Sequence, residues 1–171
     1  MLIILDSEDG NGKTQISQAL ASKLDIPYFK YEMEWRADFK CKKEDRFRLC
    51  IQHAMPMLMS FIDQTGVSAV FDRGYPSEWV YSNYFNRGTC PESLRHIDDW
   101  HFSRGAKIII PTRQHYSRAE IDEPSITPRV KADLAKLYRE FAKWTKCETF
   151  FLPVDDEDLE REIRDINKWL F

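Results

Sequence analysis

The residues with the clearest chemical potential lie together near the N-terminus, in Ser7-Glu8-Asp9-Gly10-Asn11-Gly12-Lys13-Thr14. The usual phosphate-binding loop reads G-x-x-x-x-G-K-[ST], between a strand and a helix. Gly12-Lys13-Thr14 matches its end. Backbone N–H groups from Gly10 through Asn11 and Gly12 to Thr14 can wrap a phosphate, and the positive end of a following helix adds to that attraction. Lys13 can bridge the outer phosphates of a nucleotide, and the Thr14 hydroxyl can ligate Mg²⁺. Ser7 stands where the pattern has its first glycine, so its backbone must keep angles open to a residue with a side chain. A second group, Asp72-Arg73, pairs an acid that can hold a magnesium-bound water with a guanidinium that can clamp a phosphate.

These groups need elements to position them. Leu2 to Asp6 is a short apolar run of the kind buried on both faces of a parallel sheet. Ile16, Ala19, Leu20 and Leu24 then follow at helical spacing. Further strands are expected at residues 26–30, 67–71, 106–110 and 149–152. Between them, helical patterns run over about 44–64, 76–85, 91–102, 130–144 and 159–170. Pro56 is expected to kink the first of these, with Gly66 as its stop. Gly88 and Gly105 are expected near the ends of the next two. The alternation implies right-handed crossovers and a parallel sheet covered on both sides. Loop, Asp72 and Arg73 then share the carboxyl edge of that sheet, where ligands bind in open α/β folds.

Composition narrows the function classes. The chain has 171 residues, 43% hydrophobic, 13% aromatic and 31% charged, which suits one folded domain. Its 25 basic and 28 acidic residues give −3, which disfavours a broad nucleic-acid face but leaves room for a local phosphate site. The apolar runs, such as Ile108-Ile109-Ile110, are too short to span a membrane. The segment Met1 to Leu5 reads as a strand and not a signal peptide. Cys41, Cys50, Cys90 and Cys147 form no C-x-x-C pair, and cytoplasmic location with reduced thiols is expected. The run Asp155-Asp156-Glu157-Asp158 suits a helix N-terminus better than a metal site. Arg113, Arg118 and Arg129 fall in the irregular stretch 111–129, which can act as a lid over a nucleotide. The alternative there is a solvated loop whose arginines pair with Glu120, Asp122 and Glu123.

The segment Asp72-Arg73-Gly74-Tyr75-Pro76-Ser77-Glu78-Trp79-Val80-Tyr81 resembles the thymidylate kinase motif Asp-Arg-Tyr-x-x-Ser-x-x-Ala-Tyr. Asp9 matches an aspartate that this family carries inside its phosphate loop. Phe47 and Pro56 have the spacing of its base-binding helix, and Leu137-Tyr138-Arg139-Glu140 resembles its post-lid helix. The resemblance implies a three-layer P-loop kinase with a five-stranded parallel sheet of order 2-3-1-4-5. It implies a single domain over 1–171, an acceptor region at about 31–65 and a short lid at about 111–129. It implies ATP- and Mg²⁺-dependent phosphoryl transfer to a deoxynucleoside monophosphate, dTMP or a related or modified one, in nucleotide biosynthesis. Lys13 and Thr14 would serve ATP and Mg²⁺, with Arg113 and Arg118 as lid cations. Asp72 would organise the metal, and Asp9 would approach the acceptor sugar. Arg73 and Arg36 would hold the acceptor phosphate. Ser77, Tyr81 and Phe47 would line the sugar and base pocket. A homodimer through the helix carrying Met55, Met57 and Met59 is also implied. Ile51 stands where the family reads thymine with an arginine, and Gly74 replaces its aromatic residue. Competing readings are a deoxynucleoside kinase, a kinase of a hydroxymethylated base in DNA, and a nucleotide-binding protein without turnover.

Overall fold

A computed structural model describes residues 1–31, 53–114 and 127–171. In chain order the described elements are β1 (Leu2–Leu5), α1 (Lys13–Leu24), β2 (Tyr28–Lys30), α2 (Met55–Thr65), β3 (Ala69–Asp72), α3 (Tyr75–Phe85), α4 (Pro91–Ser103), β4 (Lys107–Thr112), α5 (Pro128–Trp144), β5 (Glu148–Pro153) and α6 (Leu159–Leu170). All strand pairs are parallel, and the sheet order is β2-β3-β1-β4-β5. This is the expected architecture.

Alternation along the central strands explains the three layers. In a strand, successive side chains point to opposite faces. Leu2 and Ile4 of β1, with Ile108 and Ile110 of β4, therefore join one core with Met59, Tyr75, Ile97 and Phe141. Ile3, Leu5 and Ile109 join the other, with Ile16 and Leu20 of α1 and Ile163 and Ile166 of α6. Helices α2 to α5 thus cover one face and α1 and α6 the other. Each of these buried aliphatic side chains contributes about 1.5–3 kcal/mol through loss of water contact.

Several boundaries differ from the sequence expectation. Helix α3 ends at Phe85 as expected, closed by Asn86 in the left-handed conformation (φ 50°). Asparagine tolerates that region because its short side chain bonds locally. Strand β4 continues through Pro111 and Thr112, which pair with Leu152 and Pro153. Helix α5 starts at Pro128, because Thr127 caps it by accepting a hydrogen bond from Val130 N at 3.3 Å. Of the stretch expected to be irregular at 111–129, residues 111–112 thus belong to β4 and 128–129 to α5, and 115–126 lie outside the described residues. Pro56 sits in the first turn of α2, directly after a π-helical turn at His53 and Ala54. The part of the expected helix before residue 53, against which a kink at Pro56 would be judged, lies outside the described residues. The acidic run before α6 is local: Asp158 caps that helix by accepting from Arg161 N at 3.0 Å, and Asp156 pairs with Arg161 at 2.5 Å.

Register sets the position of the site. Leu5 lies beside Asp72 across the β1/β3 pair, and Arg73 N donates to Leu5 O at 2.8 Å. The loop after β1 and the Asp72-Arg73 pair therefore emerge side by side.

Candidate functional site

The loop from Ser7 to Gly12 joins β1 to α1. Gly10 (φ 90°) and Gly12 (φ 67°) hold the left-handed turns that let the chain reverse onto the helix. Ser7 is fully buried and is not among the described residues with positive φ, so a serine fits where the pattern has glycine. Helix α1 opens at Lys13 with no acidic residue in its first turn and no side-chain cap, which leaves its N-terminal N–H groups facing the loop.

A cavity of about 280 Å³ stands over this helix end, lined by Gly10, Gly12, Lys13, Thr14, Asp72 and Arg73, with Lys30 of β2 at its rim. Lys13 is buried (6% exposed), and its ammonium donates to the Glu8 carbonyl at 2.7 Å and lies 3.8 Å from Asp9. Burial, and secondarily the positive charge of Arg73, push its pKa down to about 8, against the pull of Asp9, Asp6 and Glu8. A phosphate placed in the cavity would restore the charge that burial disfavours.

Asp72 ends β3. Its Oδ2 accepts from the Thr14 hydroxyl at 2.6 Å and from the Tyr28 hydroxyl at 3.1 Å. Arg73 follows with φ 70°, a left-handed conformation that costs an arginine on the order of 1–3 kcal/mol and turns its side chain back over the loop. The guanidinium pairs with the Asp9 carboxylate and donates to Ser77 Oγ at 3.2 Å. Burial works against its charge, but Asp9 and the neighbouring acids more than offset this and raise its pKa. The Tyr81 hydroxyl is buried beside Arg73, with no hydrogen bond of good geometry among the described residues, and burial raises its pKa.

Asp6 is the fixed point beneath this group. It is fully buried and accepts from Gly74 N (3.0 Å), Ser77 N (2.9 Å), Ser77 Oγ (2.6 Å) and Tyr138 OH (2.9 Å). Burial raises its pKa, while Arg73, Ser77, Lys13 and Tyr138 pull it back. Asn11 is fully buried too. Its Nδ2 lies 2.9 Å from Glu8 Oε1 and 2.9 Å from the Pro111 carbonyl, so it ties the loop to the end of β4.

The structure thus brings Asp9, Gly10, Gly12, Lys13, Thr14, Asp72 and Arg73 to one cavity, with Ser77 and Tyr81 behind Arg73. Arg113 is placed elsewhere: it pairs with Glu157 at 2.8 Å beyond the end of β4. Arg129 lies exposed on the first turn of α5. Arg36, Phe47, Ile51 and Arg118 lie outside the described residues. Tyr75 and Trp79 pack against Phe141. Sequence reasoning missed Asp6, Tyr28, Lys30 and Tyr138 as site residues. Asp6 carried a weak signal, an acid closing an apolar strand; Tyr138 read as part of the helix over 130–144 and of the segment that resembles the post-lid helix, without a role of its own.

Solved structures of other proteins share this fold. The YorR protein of Bacillus subtilis, in complex with phosphorylated GDP, aligns with a TM-score of 0.67 at 21% identity, covering 99% of this chain and 95% of that one. Thymidylate kinase from Ehrlichia chaffeensis aligns with a TM-score of 0.63 at 15% identity, over 100% and 98% of the two chains. Deoxyadenosine kinase from M. mycoides, with products dCMP and a flexible dCDP bound, aligns with a TM-score of 0.61 at 20% identity, over 99% and 98%. The chain has the nucleotide-kinase fold. No family model matches the sequence, and no curated protein matches it by sequence. Within this nucleotide-kinase fold the cavity over α1 occupies the carboxyl edge of the two central strands, β1 and β3. Among the described residues, no cluster of three or more His, Cys, Asp or Glu forms a metal site by itself, and no helix is long and apolar enough to cross a membrane.

Proposed function

We propose that the chain transfers the γ-phosphoryl group of ATP to a deoxynucleoside monophosphate, dTMP or a related or modified dNMP, with Mg²⁺. The observation that carries this reading is the meeting of Lys13, Thr14, Asp72 and Arg73 around one cavity, with Thr14 and Asp72 in direct contact at 2.6 Å. Such transfer rests on positioning and on neutralising charge, and needs no covalent intermediate.

The residues present fit a magnesium–nucleotide complex. A hydroxyl and a carboxylate are hard oxygen donors, and Mg²⁺ commonly takes one or two protein oxygens, with phosphate and water completing its shell. Thr14 and Asp72 would hold it, and bound there it supplies neutralisation of the phosphate charge. Lys13 and the N–H groups of Gly10 to Thr14 bind the donor phosphates. Arg73 holds the acceptor phosphate, and its Asp9 and Ser77 partners fix the guanidinium plane. Asp9 faces the acceptor sugar, with Tyr81 behind it. On this reading Phe47 stacks on the base and Arg36 aids the acceptor phosphate. Arg118 and Arg113 serve the donor from a lid within 113–127, Arg113 after leaving Glu157. The chain works as one domain, as a homodimer, in cytoplasmic deoxynucleotide synthesis.

A second reading keeps the donor site and takes a deoxynucleoside as acceptor. It is favoured by the Asp9–Arg73 pair, which already engages the guanidinium that an acceptor phosphate would need. The similarity to a deoxyadenosine kinase points the same way. A coupled assay of ADP release separates the readings when run with ATP, Mg²⁺ and matched panels of deoxynucleosides and their monophosphates. Turnover with a monophosphate is expected, lost when Mg²⁺ is chelated. Turnover with nucleosides alone selects the second reading, and none with either panel rejects both.

A further inference from the structure

The oxygen of Asp72 that receives the Thr14 hydroxyl also receives a phenol from the edge strand β2. Tyr28 OH donates to Asp72 Oδ2 at 3.1 Å, while Thr14 Oγ1 donates to the same atom at 2.6 Å. In the β2/β3 register Tyr28 lies beside Val70, and Lys30, two residues on, lies beside Asp72. The phenol therefore reaches along the strand direction to the carboxylate. Its ring is half-buried against the core beneath α1 and fixed there by packing.

We infer that Tyr28 is a positioning residue for the metal–nucleotide site, acting through Asp72; the inference rests on the function proposed above. A carboxylate turns easily about its last side-chain torsion, whose energy well is broad. One donor fixes a distance to Oδ2 but leaves the plane of the group free. A second donor, arriving from a different strand, fixes the plane. The Thr14 hydroxyl hydrogen is then committed to Asp72, and the Thr14 oxygen keeps its lone pairs for a cation. Groups that orient metal ligands in this way commonly change metal affinity about 10- to 100-fold when removed.

The test is ADP binding by calorimetry to the whole protein and to Tyr28→Phe, each with saturating Mg²⁺ and with EDTA. Phenylalanine keeps the packed ring and removes only the hydroxyl. In the native protein Mg²⁺ is expected to tighten ADP binding. In Tyr28→Phe that gain is expected to fall about 10-fold, with binding in EDTA unchanged. Mn²⁺ titration of the ADP-saturated proteins, followed by electron paramagnetic resonance, is expected to show the same weakening without relying on heats of binding. An unchanged Mg²⁺ gain in Tyr28→Phe overturns the inference and leaves the proposed function standing. Equal weakening with and without Mg²⁺ also overturns it, because that marks a purely structural hydroxyl. Absence of any Mg²⁺ gain in the native protein overturns both.

Discussion

Asp6 and Lys13 show opposite ways of keeping an ionisable group inside this protein. Asp6 gives up water but gains backbone and hydroxyl donors on every side. Asp6→Ala would strand the N–H groups of Gly74 and Ser77 in the interior. The expected loss is about 3–5 kcal/mol of stability, measured by urea unfolding. Among the described residues Lys13 has one close acceptor, the Glu8 carbonyl, and its pKa is near 8. Its stabilising partner is expected to be the ligand. Lys13→Ala is therefore expected to leave the melting temperature nearly unchanged or raised, while lowering kcat/KM about 10²–10³-fold, as loss of one charge-stabilising donor usually does. A variant retaining most of its kcat/KM would remove Lys13 from the donor site.

The face covered by α2 to α5 carries a second buried polar group, away from the cavity. Asp98 of α4 accepts from Tyr75 OH at 2.7 Å, from Lys146 N at 3.0 Å, from Arg95 at 3.0 Å and from the Thr145 hydroxyl. This pins the start of α3, and with it Arg73 to Ser77, to the end of α5. Gly74 helps: a Cβ there would lie 3.4 Å from Ile4 Cγ2, so α3 begins close against β1. His101, stacked on Tyr75 and bonded through Nδ1 to the Ile97 carbonyl at 2.8 Å, belongs to the same packing. Burial lowers its pKa to about 4 from 6.5. The folded state then binds fewer protons than the unfolded state between these values. Its contribution is complete above pH 6.5 and lost as pH falls towards 4, a change of roughly 3 kcal/mol. Urea unfolding at pH 7, 5.5 and 4.5 is expected to show this loss, and His101→Phe to flatten it. Equal slopes in the two proteins would exclude His101 as the cause.

For the whole molecule, the exposed apolar residues of α2 bear on assembly. Met55 and Met59 are buried, while Met57 is 74% exposed and Phe61, one turn on, 48% exposed. On the proposed homodimer reading these two form the contact, and the chain is expected to run as a dimer in sedimentation equilibrium. Met57→Lys with Phe61→Lys is then expected to give a folded monomer, since neither side chain supports the core. A native monomer at micromolar concentration would reject this contact.

The sheet and its helices were legible in the sequence because periodicity is local. The continuous apolar runs in β1 and β4 must bury two faces, and spaced apolar residues in α5 and α6 must cover them. Gly12-Lys13-Thr14 was legible because glycine conformations and a helix N-terminus depend on adjacent residues only. The start of α5 was less so: Thr127 capped it ahead of the expected residue 130, because capping is decided by which backbone groups are left unpaired. Only the tertiary structure could join Asp6 to Tyr138, Asp72 to Tyr28 or Asn11 to Pro111, since those bonds cross 132, 44 and 100 positions of chain. The sequence by itself determined a phosphate loop on a parallel sheet. Which carboxylate is held, by which hydroxyl and in which plane, was settled by strand register and helix packing, because hydrogen bonds depend on distance in space and not on distance along the chain.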